Sequence, residues 1–106
     1  MKKKMTIDEL LRQAREIWGE ERLPLGQIIV RLGKIFGDIC RWERKANKDK
    51  SYHTEEELKK ELGNLIFSTI RWCDDLGYDP QECIQLAQKA QRDFVRKERE
   101  SKGDCD

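Results

Sequence analysis

Glu57, Glu61, Asn64 and Ser68 recur at three- and four-residue spacing, which on an α-helix stacks their side chains along one edge. A second polar row, Gln27, Arg31, Lys34, Asp38 and Arg41, follows the same spacing in an earlier periodic segment and contains one carboxylate, Asp38. Acidic groups on helices that face one another can hold Mg²⁺ through their oxygens and offer the metal to the phosphates of a substrate. Such rows also have a plainer meaning, a solvated helix face dressed with charge pairs. Other chemistries find no foothold. There is no Gly-x-x-x-x-Gly-Lys phosphate loop, nucleophile elbow or Ser-His-Asp set, and the single histidine, His53, lies in a polar stretch beside a helix start. Cys40, Cys73, Cys83 and Cys105 include no Cys-x-x-Cys pair. Three of them fall on or beside apolar faces, the pattern of reduced core thiols and not of a zinc site.

The carboxylate row needs a helix to carry it, and residues 54–77 supply one around which the chain is organised. Thr54 followed by Glu57 is a capping box, and Gly77 suits a helix end that requires positive φ. Leu58, Leu62, Leu65, Ile66, Thr69, Ile70, Cys73 and Leu76 form a wide apolar stripe, expected to be core. Leu25, Ile28, Ile29, Leu32, Ile35, Phe36, Ile39 and Cys40 repeat the pattern over residues 25–45, and the polar segment 46–53 reads as the loop of a helical hairpin. Thr6 with Glu9 starts an earlier helix over 6–19, and Pro24 belongs to the connection or to the first turn that follows. Asp79, Pro80 and Glu82 start a last helix over 80–99, beyond which the tail 100–106 is polar. The expected fold is all-α: four helices built around a long antiparallel hairpin of the second and third.

Composition sets the outer bounds. A chain of 106 residues forms one domain, 1–106, and buries a modest core unless it associates. Leu58, Leu65, Phe67, Ile70 and Trp72 reach further round the third helix than one partner helix can cover, which points to a homodimer or a dimer of dimers. Charged residues are 41% of the chain, but 22 basic against 21 acidic side chains nearly cancel, so no net field recruits nucleic acid or a membrane surface. With no long apolar span and no apolar leader after the basic first residues, the expected location is cytoplasmic. Trp18, Trp42 and Trp72 can each stack on a base, although helix aromatics more often pack.

From about Leu25 to Phe94, and above all through ELGNLIFSTIRWCDDLGYDPQE, the chain resembles the MazG-like, all-α nucleoside triphosphate pyrophosphatases. The resemblance implies a helical homo-oligomer that uses Mg²⁺, or Mn²⁺, to hydrolyse a nucleoside triphosphate to monophosphate and pyrophosphate. Ile35, Phe36, Gly37 and Asp38 stand where that family has Glu-x-x-Glu, and Glu61, Leu62, Gly63 and Asn64 where it has Glu-x-x-Asp. Ala87 and Gln91 stand at the family's phosphate-binding Lys and Asn. By this resemblance the metal ligands are Asp38, Glu61 and Asn64, and Glu61 or Glu57 positions and deprotonates water. Lys34, Arg31 and Gln91 would meet the anionic substrate. Two formal negative charges, Asp38 and Glu61, remain of four, so metal binding is expected to be weak without nucleotide. Two further readings stay open: a degenerate relative that binds nucleotide without cleaving it, and a module whose helices serve only to assemble an oligomer.

Overall fold

The computed structural model describes residues 4–44 and 54–103, and within them the chain is four α-helices with no strand. They are α1 (Ile7–Trp18), α2 (Leu25–Arg44), α3 (Glu55–Asp75) and α4 (Pro80–Gly103). His53, Cys105, the segment 46–53 and the assignment of Lys45 to the second helix lie outside the described residues.

Local signals explain the boundaries. The Thr6 hydroxyl accepts the Glu9 N–H at 3.1 Å and the Thr54 hydroxyl accepts the Glu57 N–H at 3.2 Å, each satisfying a donor that the helix start leaves open. The Glu57 side chain turns instead to Lys60, at 3.0 Å. Pro24 immediately precedes α2, and its carbonyl accepts the N–H groups of Gln27 and Ile28 at 3.0 and 3.1 Å. Gly77 takes φ +84°. The N–H of Gly77 then bonds the Asp74 carbonyl and that of Tyr78 the Cys73 carbonyl, both at 2.9 Å, closing α3 in a Schellman turn. Asp79 caps α4 by accepting the Gln81 N–H at 3.0 Å. That helix continues to Gly103 and not to about residue 99; RKERESK is rich in good helix formers, and polarity alone does not stop a helix.

The third helix is central: it packs against α2, α1 and α4, and no other pair of helices packs comparably. The buried apolar side chains are Ala14 of α1, Ile28 of α2, and Ile70 and Trp72 of α3. Each long apolar stripe is split. On α2, Ile28 is buried and Ile35 and Ile39 are half-buried, whereas Leu25, Ile29, Leu32 and Phe36 are exposed. On α3, Leu58, Leu65 and Phe67 are half-buried and Ile70 and Trp72 buried, but Leu62 and Ile66 are exposed.

The residues that the sequence marked as needing a second subunit are thus largely covered within the chain, and other apolar side chains are left out. Phe36 is 66% exposed and Ile66 64%. α1 docks on α3 and meets its C-terminal end through Arg15, while among the described residues no helix other than α3 packs comparably on α2. Along α4 the apolar positions Ile84, Ala87, Ala90, Phe94 and Val95 are all exposed, whereas Pro80 is buried and Cys83 half-buried. The radius of gyration is 17.8 Å, against about 13 Å for a compact chain of this length. No helix among the described residues is long and apolar enough to cross a membrane.

Candidate metal and nucleotide site

The helical spacing of the carboxylate row holds. Asn64 Nδ2 donates to Glu61 Oε1 at 2.8 Å, across one turn of α3. Glu57, one turn earlier, pairs with Lys60 at 3.0 Å. Asp38 lies on α2 with its carboxylate partly covered and Arg41 Nη2 at 3.4 Å. Lys60, exposed, stands between Glu57 and Glu61 on α3. Its ammonium is held above its ordinary pKa by hydrogen bonding to Glu57, then by the charge of Glu57, and further by Glu61 and Asp38. Glu57 is in contact with Lys60, while the charges of Glu61 and of Asp38, on α2, act on the same exposed ammonium.

Other expected site residues are dispersed. Arg31 lies two helical turns before Asp38, about 10.5 Å along the axis, where its charge acts on Arg71 near the opposite end of α3. Lys34 is exposed on α2, four residues before Asp38. Gln91 lines a shallow depression with Gln88, Arg92, Val95, Arg96, Arg99 and Glu100, all residues of α4. The structure pairs Glu61 with Asn64 on α3 and Asp38 with Arg41 on α2, and places Gln91 on α4 and Arg31 towards Arg71.

Among the described residues no group of three or more His, Cys, Asp or Glu side chains is placed to hold a metal ion. The donors at the edge are Asp38, Glu61 and the amide oxygen of Asn64, oxygen atoms of the kind Mg²⁺ accepts, and one or two carboxylates suffice when substrate and water complete the shell. Their donor chemistry suits Mg²⁺, but among the described residues no hydrogen bond or ion pair joins Asp38 to Glu61 and Asn64, and Lys60 adds a competing positive charge beside Glu57.

A second charged cluster ties α1 to the end of α3. Arg15 Nη2 reaches Asp74 Oδ2 at 2.6 Å and Asp75 Oδ1 at 2.5 Å. The Nη1 of the same guanidinium donates to the carbonyls of Gly19 and Glu21 at 3.3 and 3.1 Å, so one side chain also fastens the start of the connection to α2. Arg22 donates to the Asp74 carbonyl. The Asp75 side chain is 0% exposed and that of Arg71 6%, their nearest atoms 3.7 Å apart, and the Arg71 guanidinium lies over the Trp18 ring at 4.8 Å. Burial opposes the charge on Arg15, but hydrogen bonds to Asp74 and Asp75 outweigh it and raise its pKa. For Arg71 the balance falls the other way: burial lowers its pKa, Asp75 compensates in part, and Arg31 and Arg15 add repulsion. Arg71 Nε and Asp75 Oδ2 are buried without a hydrogen-bond partner.

Reasoning from sequence missed Lys60 and this cluster. Lys60 had a signal in its place between Glu57 and Glu61, within one turn of each. Asp74 and Asp75 had a stronger one: two carboxylates close α3 with no basic residue in its last turn. The negative end of the helix dipole disfavours that arrangement unless a cation arrives from elsewhere.

The chain matches no known family model, no curated protein and no solved structure.

Proposed function

We propose that the protein is a Mg²⁺-dependent nucleoside triphosphate pyrophosphohydrolase with a thinned acidic site, of the MazG-like kind that residues 25–94 resemble. What supports this reading is the Glu61–Asn64 pair at 2.8 Å on α3, together with Asp38 on α2, whose charge acts on the same Lys60 ammonium as those of Glu57 and Glu61. Asp38, Glu61 and Asn64 would hold Mg²⁺, whose part is to neutralise charge on the triphosphate. Glu61, or Glu57 one turn away, is the group to orient and deprotonate water. Lys34 supplies positive charge on the same stretch of α2 for the phosphates, with Arg31 further along and Gln91 on α4. A cytoplasmic setting suits this substrate class. The reading is tested by measuring pyrophosphate release from a panel of ribo- and deoxyribonucleoside triphosphates with Mg²⁺ or Mn²⁺. Failure on every nucleotide with both metals removes the hydrolase.

The active unit would be a homodimer or a dimer of dimers in which a second copy covers the outer face of the hairpin. Leu25, Ile29, Leu32 and Phe36 of α2 with Leu62 and Ile66 of α3 support this, since a soluble monomer rarely leaves so much contiguous apolar surface to water. Sedimentation is expected to give a dimer or larger at micromolar concentration; a monomer unchanged on dilution would sink the arrangement. The same face favours a second reading, an assembly module without catalysis. If no nucleotide is cleaved and none raises the melting temperature, while the chain still self-associates, that reading replaces the first.

A further inference from the structure

The apolar line of α4 is covered only at its start. Cys83, Ala87, Ala90 and Phe94 follow one another at intervals of four, three and four residues, which sets them in one row along the helix. Cys83 is half-buried behind buried Pro80, but Ala87, Ala90 and Phe94 are exposed. Phe94 is 64% exposed, and Leu86, on the flank of the row, 63%. Among the described residues α4 packs on α3 and on no other helix comparably.

A spacing of four, three and four reads the same in both directions. Two such rows laid antiparallel therefore match position for position, with Cys83 opposite Phe94 of a second copy, Ala87 opposite its Ala90, and the reverse across a two-fold axis. The alanines at the centre carry nothing beyond a methyl group, so the helix axes can approach to about 8 Å. Charge selects the same direction. Residues 79–88 carry Asp79 and Glu82 and no basic side chain, whereas residues 89–102 carry six basic against three acidic. Antiparallel pairing sets the acidic start of one helix beside the basic half of the other, and parallel pairing would set like on like. A formal net charge of +1 leaves little long-range repulsion between copies.

We propose that α4 is a self-association surface, on which a second copy of this chain docks through its own α4, antiparallel, about a two-fold axis between Ala87 and Ala90. This surface is separate from the outer face of the hairpin. Either contact alone gives a dimer, and the two together close a dimer of dimers. The inference does not depend on the hydrolase reading.

The test is sedimentation equilibrium of the full chain and its variants. Phe94→Asp puts a charge into the row and should weaken the α4 contact at least about tenfold. Because Phe94 is exposed within one copy, the circular-dichroism spectrum and the urea midpoint should stay where they are. Phe36→Asp, on the hairpin face, should leave the α4 pair intact, so the complex that survives it and is dissolved by adding Phe94→Asp is that pair. Direction is read from the alanines. Ala90→Glu alone should dissociate the pair, and adding Ala87→Lys should restore it, since only antiparallel pairing sets the introduced charges opposite one another. Association unchanged by Phe94→Asp, or a Phe36→Asp chain that is monomeric at every concentration, would overturn the proposal. Loss of association with Ala90→Glu that Ala87→Lys does not repair would overturn the antiparallel register. The alanine pair decides alone if Phe94→Asp fails to fold.

Discussion

The protein carries two charged clusters on α3, one at each end, and they differ in how much water they keep. At the C-terminal end Arg15, Asp74, Asp75 and Arg71 are largely withdrawn from solvent and joined by short contacts between α1 and α3. Towards the other end Glu57 pairs with Lys60, whose side chain is 60% exposed, and the charges of Glu61 and Asp38 act on the same ammonium. The same residue chemistry therefore has two uses. A desolvated pair resists loss of either partner, because the survivor is left as an uncompensated buried charge, so it fixes one helix on another. A hydrated pair contributes little to stability, and its partners can be exchanged for a metal or a phosphate at small cost.

The largest expected effect breaks the buried cluster. Asp75→Ala leaves Arg15 and Arg71 without their shared carboxylate and should lower stability by about 3–5 kcal/mol, read as a fall in the urea midpoint followed by far-ultraviolet circular dichroism. A loss below about 1 kcal/mol, the range of exposed pairs, would erase the contrast. Next comes Glu61→Gln, which should cut turnover by at least about a hundredfold, as expected for removal of a group that handles the water proton, while the urea midpoint stays put. Asn64→Asp, by adding a carboxylate beside Glu61, should strengthen Mg²⁺ binding by calorimetry and raise turnover. If it weakens both, Asn64 is not at a metal.

Trp18→Ala tests the outer surface of the buried cluster and should cost about 1 kcal/mol, since it removes the ring beneath a largely desolvated guanidinium. An unchanged midpoint would mean that Asp75 alone holds Arg71. The smallest effect belongs to Lys60→Met, which should leave the midpoint where it is and improve Mg²⁺ affinity roughly threefold, because a screened, exposed cation is taken from the carboxylates. Destabilisation of the size expected for Asp75→Ala would place both clusters in one class.

How much of the site was legible follows from the range of each contact. Glu61 and Asn64 are one turn apart on one helix, so their spacing states their contact. Antiparallel packing of two periodic helices points to Asp38 as their neighbour, whereas the contact the structure gives it is Arg41, one turn away on its own helix. The position of Arg31 was not legible: on the same row as Asp38 it looks like a neighbour, yet two turns of rise carry it to the Arg71 end. Gln91 was placed by resemblance, and where α4 runs after its first turns is not written in its own periodicity.

The four helices, three of their starts and the end of α3 are legible in the amino-acid sequence, because Thr6, Thr54, Gly77 and Asp79 act through hydrogen bonds that close within a few residues. Which half of each apolar stripe is covered, and where the buried charges pair, depends on how the helices dock. Arg15 meets Asp74 and Asp75 across 59 and 60 residues, a separation over which no local spacing carries information. Once α1 settles on the C-terminal half of α3, Ile70 and Trp72 are sealed, and Leu62, Ile66 and Phe36 face outward. Periodicity states that a helix has an apolar side; the energy of docking, summed over the whole chain, selects which part of that side is buried.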